Sequence, residues 1–324
     1  MVDSSFFEKI RPFRALLLGD FLLDTYTTGK VRRISPEGPV PIFEVIHEES
    51  RPGGAGNVAL NLNALGGEVV TIGRIGEDAE GQVLRELLQQ GNVLTEGLFI
   101  QPDYRTPVKN RLIAASQQLL RVDQEKIEEV PHLFVNQIKE KILQLIDQVD
   151  VIAISDYGKG FLSRSLLAFI LTEGRTRGIP VIVDPKGTDF TRYAGATLIK
   201  PNCLEAYSAA RLSSDATLGE VALQIFQQVQ GEWVLITRSE EGMSLFHQSG
   251  TQLDFPVRFK EVRDVTGAGD TALAVMCLGL GVGLDLSSSV QLANIAAGIA
   301  VERLGCARIA LSEIFDRISE LSFH

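Results

Sequence analysis

Short apolar runs alternate with longer stretches of helical period, and nothing else in the sequence constrains the fold as tightly. RALLLG (14–19), EVVTIG (68–73), VDVIAIS (149–155), PVIVD (180–184) and ATLIK (196–200) each have the length of a buried strand. Helical segments are expected at 53–67, 77–90, 131–147, 161–177 and 202–229. In the first, GGAGNVALNLNALGG, Ala55, Val58, Ala59 and Leu62 keep the i, i+3, i+4, i+7 spacing of one helix face, and glycine pairs flank it. Such alternation is the signature of βαβ units. The expected class is α/β, a three-layer α/β/α arrangement around a mostly parallel central sheet.

Two regions break the pattern. Residues 28–50 (TGKVRRISPEGPVPIFEVIHEES) hold strand-like pieces and three prolines, and residues 95–123 hold GLFI, TPVKNRLIAA and QQLLRVD with no helix between. They read as surface hairpins or as a small β-sheet lid over the strand ends, where α/β proteins place their sites. An exposed lid sheet needs its face covered, which suggests a homodimer through the lids. No repeat or low-complexity linker divides residues 1–324, so one domain carrying both insertions is expected.

Charge excludes some functions. Lys and Arg number 31 against 41 Asp and Glu, a formal net charge of -10. Nucleic-acid binding, which needs a basic footprint, is not expected. An anionic ligand would depend on a local basic cluster or on helix N-termini. Cys203, Cys277 and Cys306 lack metal-ligand spacing, and an odd count argues against a disulfide framework, as suits a reducing cytoplasm. Asp3 and Glu8 in MVDSSFFEKIR argue against a signal peptide. Val265–Leu284, whose one charge is Asp270, is glycine-rich and opens on a turn motif. It reads as a loop and a buried helix, not a membrane span.

GAGNVA (54–59) fits G-x-G-x-x-G/A, but EESRP precedes it where a dinucleotide site needs an apolar strand. It reads as a tight turn into a helix, or as Gly53 and Gly54 letting a ligand approach the backbone with Asn57 facing it. No G-x-x-x-x-G-K-[ST] and no H-R-D loop occurs. In DVTGAGDTALAVM (264–276), Gly267 and Gly269 allow sharp turns that bare N–H groups at a helix start, which makes an anion cradle. A carboxylate beside such a cradle suits a proton acceptor for a hydroxyl, with the cradle on a transferred phosphoryl group. The alternative is a first-turn aspartate stabilised by the helix dipole.

DVTGAGD resembles the C-terminal signature of the ribokinase-like (PfkB) carbohydrate kinases, RPGGAGNVALNLNALGG their N-terminal signature, and PNCLE (201–205) their N-x-x-E motif. The three lie in the family's order across almost the whole chain. GDFLLDTY, RISPEGPVPIFEV, SDYGKG, VDPKGTDFTRYAGATLIKPNCLE and ITRSEEGMSLF resemble the branch of that family acting on heptose 7-phosphate. The resemblance implies ATP-dependent phosphorylation of the anomeric hydroxyl of D-glycero-β-D-manno-heptose 7-phosphate, a step towards the ADP-heptose of lipopolysaccharide. Another sugar acceptor, or a non-catalytic sugar-binding protein on the same scaffold, stays open. Some relatives add a nucleotidyltransferase domain, for which a chain ending at His324 is expected to lack room.

By the same resemblance, Asp270 is the base and Gly267, Ala268 and Gly269 form the anion hole. Asn202 and Glu205 serve ATP and Mg²⁺, Glu205 through water, although Asn202 also reads as a helix N-cap. Thr237 and Gly242 contact the nucleotide. Asp264 and Thr266 match positions that hold a monovalent cation such as K⁺. Asp20 and Asp24 would accept hydrogen bonds from sugar hydroxyls, with an Asx turn the alternative for Asp20. The acceptor's phosphate needs cations. Lys109, Arg111, Arg121, Lys159 and Lys186 are the candidates, with Arg121 and Lys186 preferred for their hydrophobic frame and strand-end position; each could also be a solvated surface charge. Cys203 within N-x-x-E, Ala55 and Ala268 bring no contacting side chain.

Overall fold

All five apolar runs become strands of one sheet. A computed structural model describes residues 10–257, 262–303 and 305–322, so Asp3 and Glu8 lie outside the described residues. β1 (Phe13–Gly19) leads into β2 (Phe21–Ile34) and β3 (Pro41–Gly54), then α1 (Ala55–Ala64), β4 (Gly67–Gly76), α2 (Ala79–Gln90) and β5 (Leu94–Gln101). β6 (Val108–Ala114) and β7 (Gln117–Gln124) form a second hairpin before α3 (His132–Leu145), β8 (Val151–Ser155), α4 (Arg164–Arg177) and β9 (Val181–Asp184). β10 (Leu198–Ile199), α5 (Cys203–Ala210), α6 (Leu218–Val229), β11 (Trp233–Thr237), β12 (Met243–His247) and β13 (Gln252–Phe255) follow, and then α7 (Ala268–Gly281), α8 (Leu286–Val301) and α9 (Leu311–Ser322).

The large sheet has nine strands in the order β13-β12-β11-β10-β9-β8-β1-β4-β5. It is parallel from β5 to β11, with antiparallel β12 and β13 at one edge. Successive side chains of a strand point to opposite faces. Ala15 and Leu17 therefore join a core with α1, α7 and α8, while Leu16 and Leu18 join another with α3, α4 and α6. The three expected layers result. α7 is apolar nearly all round because it lies inside the first of these cores.

The 202–229 segment is two helices. α5 ends at Arg211 in the left-handed region, and α6 restarts at a capping box of Thr217 and Glu220. Periodicity alone does not show such a break.

The second sheet has four strands in the order β3-β2-β6-β7. It begins earlier than residue 28, because β2 and β3 pair from Phe21↔Gly54 outward, with register shifts at Thr28/Gly29 and Val31/Ile34. GLFI falls elsewhere: it lies in β5, at the edge of the large sheet against β4, so the second hairpin occupies 108–124 rather than 95–123. The register Asp24↔Lys109, Tyr26↔Arg111 and Arg111↔Arg121 gathers these side chains on one face. The opposite face carries Leu112, Leu120 and Val122, the last two exposed.

Candidate active site

Asp270 lies in the first turn of α7, whose N-cap, Gly267, has φ 81° and no side-chain cap. Glycine is needed there: a β-carbon would strain the left-handed backbone and come 3.0 Å from Asn57 Nδ2 and 3.3 Å from Cys306 Sγ. Ala268 N–H is taken by Val265 O at 3.3 Å. Of the three amides expected in the cradle, those of Gly267 and Gly269 have no main-chain acceptor among the described residues.

Asp270 is 6% exposed. Asn57 Nδ2 donates to its Oδ2 at 2.7 Å, and the Tyr157 hydroxyl donates to Oδ1 at 2.8 Å. Burial pushes the Asp270 carboxyl up to about 6; Asp184 adds to the rise, while Asn57, Tyr157 and Lys200 oppose it. A carboxylate that serves as a base must be deprotonated to act, so in that role Asp270 would make turnover fall on the acid side with an apparent pKa near 6. Replacing Tyr157 with phenylalanine removes a donor to the carboxylate and should move that limb to higher pH. A pH profile of kcat/KM in both proteins checks this, and a limb that stays in place would separate Tyr157 from the base.

Beside Asp270 opens a cavity of about 210 Å³ onto which Asp184, Lys186, Lys200, Asn202 and Glu205 face. Lys200 is 2% exposed and its Nζ pairs with Asp184 Oδ2 at 2.9 Å. Burial raises the Asp184 carboxyl, against the pull of Lys200. Asn202 and Glu205 form a capping box: Asn202 Oδ1 accepts from Glu205 N at 2.9 Å, and Glu205 Oε2 from Asn202 N at 3.2 Å. Asn202 is thus an N-cap that also faces the cavity. Glu205 Oε1 accepts from Lys186 Nζ at 2.7 Å. Lys186, expected at the acceptor's phosphate, stands on this side instead and is neutralised by Glu205. The reading of the sequence missed Tyr157, Asp184 and Lys200. All three sit at or just beyond the carboxyl ends of β8, β9 and β10, where the strand-end rule would have found them.

A second cavity of about 340 Å³ adjoins the first through Asn202, Thr237 and Gly269. Gly242 and the apolar side chains of Val265, Ala268, Ala272 and Val301 line it. Ala268, without a reach of its own, supplies part of this wall. Thr237 and Gly242, expected at the nucleotide, both line this cavity.

The opposite side of Asp270 faces the four-stranded sheet. Asp24, 6% exposed, accepts from Arg111 Nη1 at 2.5 Å. Its carboxylate lies where a side chain on Gly53 would stand, which explains that glycine by close approach. Gly54 passes its neighbour's N–H on: Ala55 N donates to Asp20 O at 3.0 Å. Asp20 lines neither cavity. It is 3% exposed, and both its oxygens are taken by main-chain amides of Tyr157, Lys159 and Phe161. Neither a sugar contact nor an Asx turn describes it.

Arg121 is held by Asp123 through Nε at 2.8 Å and Nη2 at 3.0 Å, half in solvent. Lys159 Nζ pairs with Glu125 at 2.7 Å. Lys109 is the exception, half-buried and without an ion pair among the described residues, 5.9 Å from the Tyr157 ring centroid. Burial, then Lys159, lowers its ammonium below the usual lysine range. Asp264 Oδ1 accepts from Thr266 N and Oγ1 at 2.9 and 2.7 Å, and Oδ2 from Gly305 N at 2.8 Å. A cation there would meet a carboxylate already served by three donors. Among the described residues no cluster of three His, Cys, Asp or Glu could hold a metal, and all three cysteines are free thiols. No described helix is long and apolar enough to cross a membrane.

The family profile for pfkB family carbohydrate kinase matches residues 21–313. The chain is 43% identical over 317 residues to the Bifunctional protein HldE of Pelobacter propionicus, covering 97% of this chain and 65% of that protein. It is 44% identical over 321 residues to the HldE of Trichlorobacter lovleyi, covering 98% and 65%. It thus spans just under two thirds of the length of these relatives. Among solved structures, phosphofructokinase-2 from Escherichia coli in complex with potassium superposes with a TM-score of 0.76 at 20% identity, over 96% of this chain and 99% of that one. Arabidopsis thaliana ribokinase complexed with ribose and ATP gives 0.73 at 17%, over 95% and 99%. These two establish the fold, and the residues of the site lie where its strands end.

Proposed function

The chain belongs to the pfkB family of carbohydrate kinases and is therefore a phosphotransferase acting on a sugar hydroxyl; on that premise we propose that it moves the γ-phosphoryl group of ATP to the anomeric hydroxyl of a heptose 7-phosphate, giving the 1,7-bisphosphate. The observation that carries the chemistry is Asp270, a buried carboxylate held by two donors at the uncapped start of a helix. Asp270 takes the hydroxyl proton. The amides of Gly267 and Gly269, with Lys200 beside them, meet the negative charge that develops on the phosphoryl oxygens. Asn202, Thr237 and Gly242 face the nucleotide, whose base packs against the methyl-rich wall from Val265 to Ala272. Mg²⁺, when bound with ATP, would neutralise phosphate charge, with Glu205 oriented towards it by the capping box and Lys186.

Asp24 and Arg111 face the sugar, and Asn57 fixes the base. The small sheet acts as the lid that excludes water, and its apolar outer face, with Leu120 and Val122, suits a second copy of the chain. A phosphate already on the acceptor is supported by Lys109. It is a half-buried cation that forms no ion pair among the described residues, whereas Arg121, Lys159 and Lys186 have theirs.

An ADP-release assay with heptose 7-phosphate beside hexose phosphates and unphosphorylated sugars tests the acceptor. Lys109→Ala should raise KM for the phosphorylated acceptor about 10–100-fold while leaving neutral sugars unaffected, as loss of a charge-assisted contact to phosphate requires. Arg121→Ala, already matched by Asp123, should change KM less than about threefold. Equal KM in wild type and Lys109→Ala would move the phosphate elsewhere. A faster reaction with a hexose phosphate would keep the mechanism and change the substrate.

A further inference from the structure

Two buried charges stand apart from the walls of the two cavities. Asp20 is 3% and Arg74 2% exposed, and among the described residues neither forms a salt bridge. Both act on the main chain of one loop. Asp20 Oδ2 accepts from Tyr157 N at 2.9 Å and Lys159 N at 3.0 Å, and Oδ1 from Phe161 N at 3.4 Å. From β4, Arg74 Nη2 donates to Lys159 O at 2.7 Å and to Glu128 O, and Nη1 to Gln101 Oε1 at 3.0 Å. Its guanidinium lies over the Tyr104 ring, 4.0 Å from the centroid. The loop is thus gripped by its N–H groups from one side and by a carbonyl from the other.

Two side chains leave the gripped loop with consequence. The Tyr157 hydroxyl reaches Asp270, and Lys159 Nζ reaches Glu125, one residue past β7. Glu128, on the same return from the small sheet, is itself held by Arg74. Burying an unpaired guanidinium and an unpaired carboxylate is costly unless hydrogen bonds satisfy them. Here those bonds are spent on the loop and the returning segment.

We propose that Arg74 and Asp20 are positioning residues, locking the 157–161 loop so that Tyr157 holds the base carboxylate and anchoring to the same lock the segment by which the small sheet returns to the body. The proposal rests on Asp270 as base and deepens that reading. The lock is electrostatic on both sides, so each half can be removed without touching the reacting groups. Asp20 also faces Asp156 and Arg74, and burial followed by Asp156 pushes its carboxyl up to about 6, with the loop amides and Arg74 opposing. The grip is therefore firm above that pH.

The test uses Arg74→Met, Arg74→Lys, the isosteric Asp20→Asn, Tyr157→Phe and the double variant Arg74→Met with Tyr157→Phe in the whole chain. Amide hydrogen exchange and the pH profile of kcat are read in each. Arg74→Met and Asp20→Asn should speed exchange at 157–161 and, for Arg74→Met, at 125–128, with α1 and β1 unchanged. Each should lower kcat about 10–100-fold, change KM for ATP less than about twofold, and move the acid limb in the direction of Tyr157→Phe. The double variant should show no further movement of the limb, and Arg74→Lys, keeping one charged donor, should recover part of kcat. Wild-type kcat and limb in a folded variant with faster loop exchange would overturn the proposal, as would additive limb shifts. If Arg74→Met does not fold, Asp20→Asn decides by the same criteria. If the wild type lacks the limb, the base assignment falls, and exchange alone judges the lock: unchanged exchange at 157–161 overturns it, and faster exchange confined to the two segments supports it.

Discussion

Asp270→Asn should lower kcat by about 10²–10⁴ while leaving ATP affinity close to wild type, and it should make the protein more stable. The two effects share one cause. Burial lifts the carboxyl from 3.8 to about 6. The folded protein therefore binds this proton more tightly than the unfolded chain does. The group's contribution to stability is most favourable below the unfolded pKa and is lost as pH rises through about 6. At pH 7.5 the wild type bears the whole cost of the buried charge, which at about 1.4 kcal/mol per unit comes to roughly 3 kcal/mol as an upper figure. Asparagine removes it. Its Oδ1 can accept from Asn57, and its amide can donate to the Tyr157 oxygen. A gain of about 1–3 kcal/mol, or several degrees in Tm, is expected at pH 7.5, shrinking towards pH 4. Calorimetry at the two pH values and single-turnover kinetics measure both halves. Near-wild-type turnover in the folded variant would remove Asp270 from the role of base.

Lys200→Met should act in the opposite direction on stability and in the same direction on activity. The Lys200 side chain is 3% and that of Asp184 19% exposed, and they pair at 2.9 Å. Removing the cation leaves a largely buried carboxylate, on a cavity it shares with Glu205 and Asp270, without its nearest counter-charge, at a cost of about 2–4 kcal/mol. The Asp184 carboxyl, already raised by burial against the lysine's pull, rises further. The penalty is therefore largest at high pH and diminishes as Asp184 takes up a proton. Turnover should fall about 10²–10³-fold through loss of a cation beside the transferred phosphoryl group. Adding Asp184→Asn should restore most of the stability and none of the turnover. Recovery of both would make the pair structural alone, and a loss below about 1 kcal/mol would show that the ion pair does not form.

The parts of the site legible in the sequence share a local encoding. DVTGAGD announces a glycine-opened helix start with a carboxylate in its first turn, and that is where Asp270 lies. PNCLE announces an N-cap with a glutamate three residues on, and Asn202 and Glu205 close that box on each other. Asp20 and Asp24 look alike in the sequence, four residues apart. Asp20 falls in the break between β1 and β2 and turns back to amides 137–141 residues away, whereas Asp24 lies inside β2 facing Arg111. The cations divide in the same manner. Arg121 meets Asp123 across one intervening residue, Lys186 meets Glu205, and Lys109 forms no ion pair among the described residues. The N–H of Ala268 looks free for the cradle in the sequence, and the turn gives it to Val265.

By itself the sequence determined the parallel sheet and its two helical layers, the position of the buried strands, and the helix start that carries Asp270. Apolar periodicity and glycine-opened turns act between near neighbours, so they are written in short stretches. Tertiary structure alone decided that the Asp20 carboxylate turns to the amides of Tyr157 and Lys159, that Tyr157 and Asn57 donate to Asp270, that Lys200 pairs with Asp184, and that Lys109 forms no ion pair among the described residues. Pairing and desolvation depend on which distant segments meet and how much water they displace, and no local pattern records either.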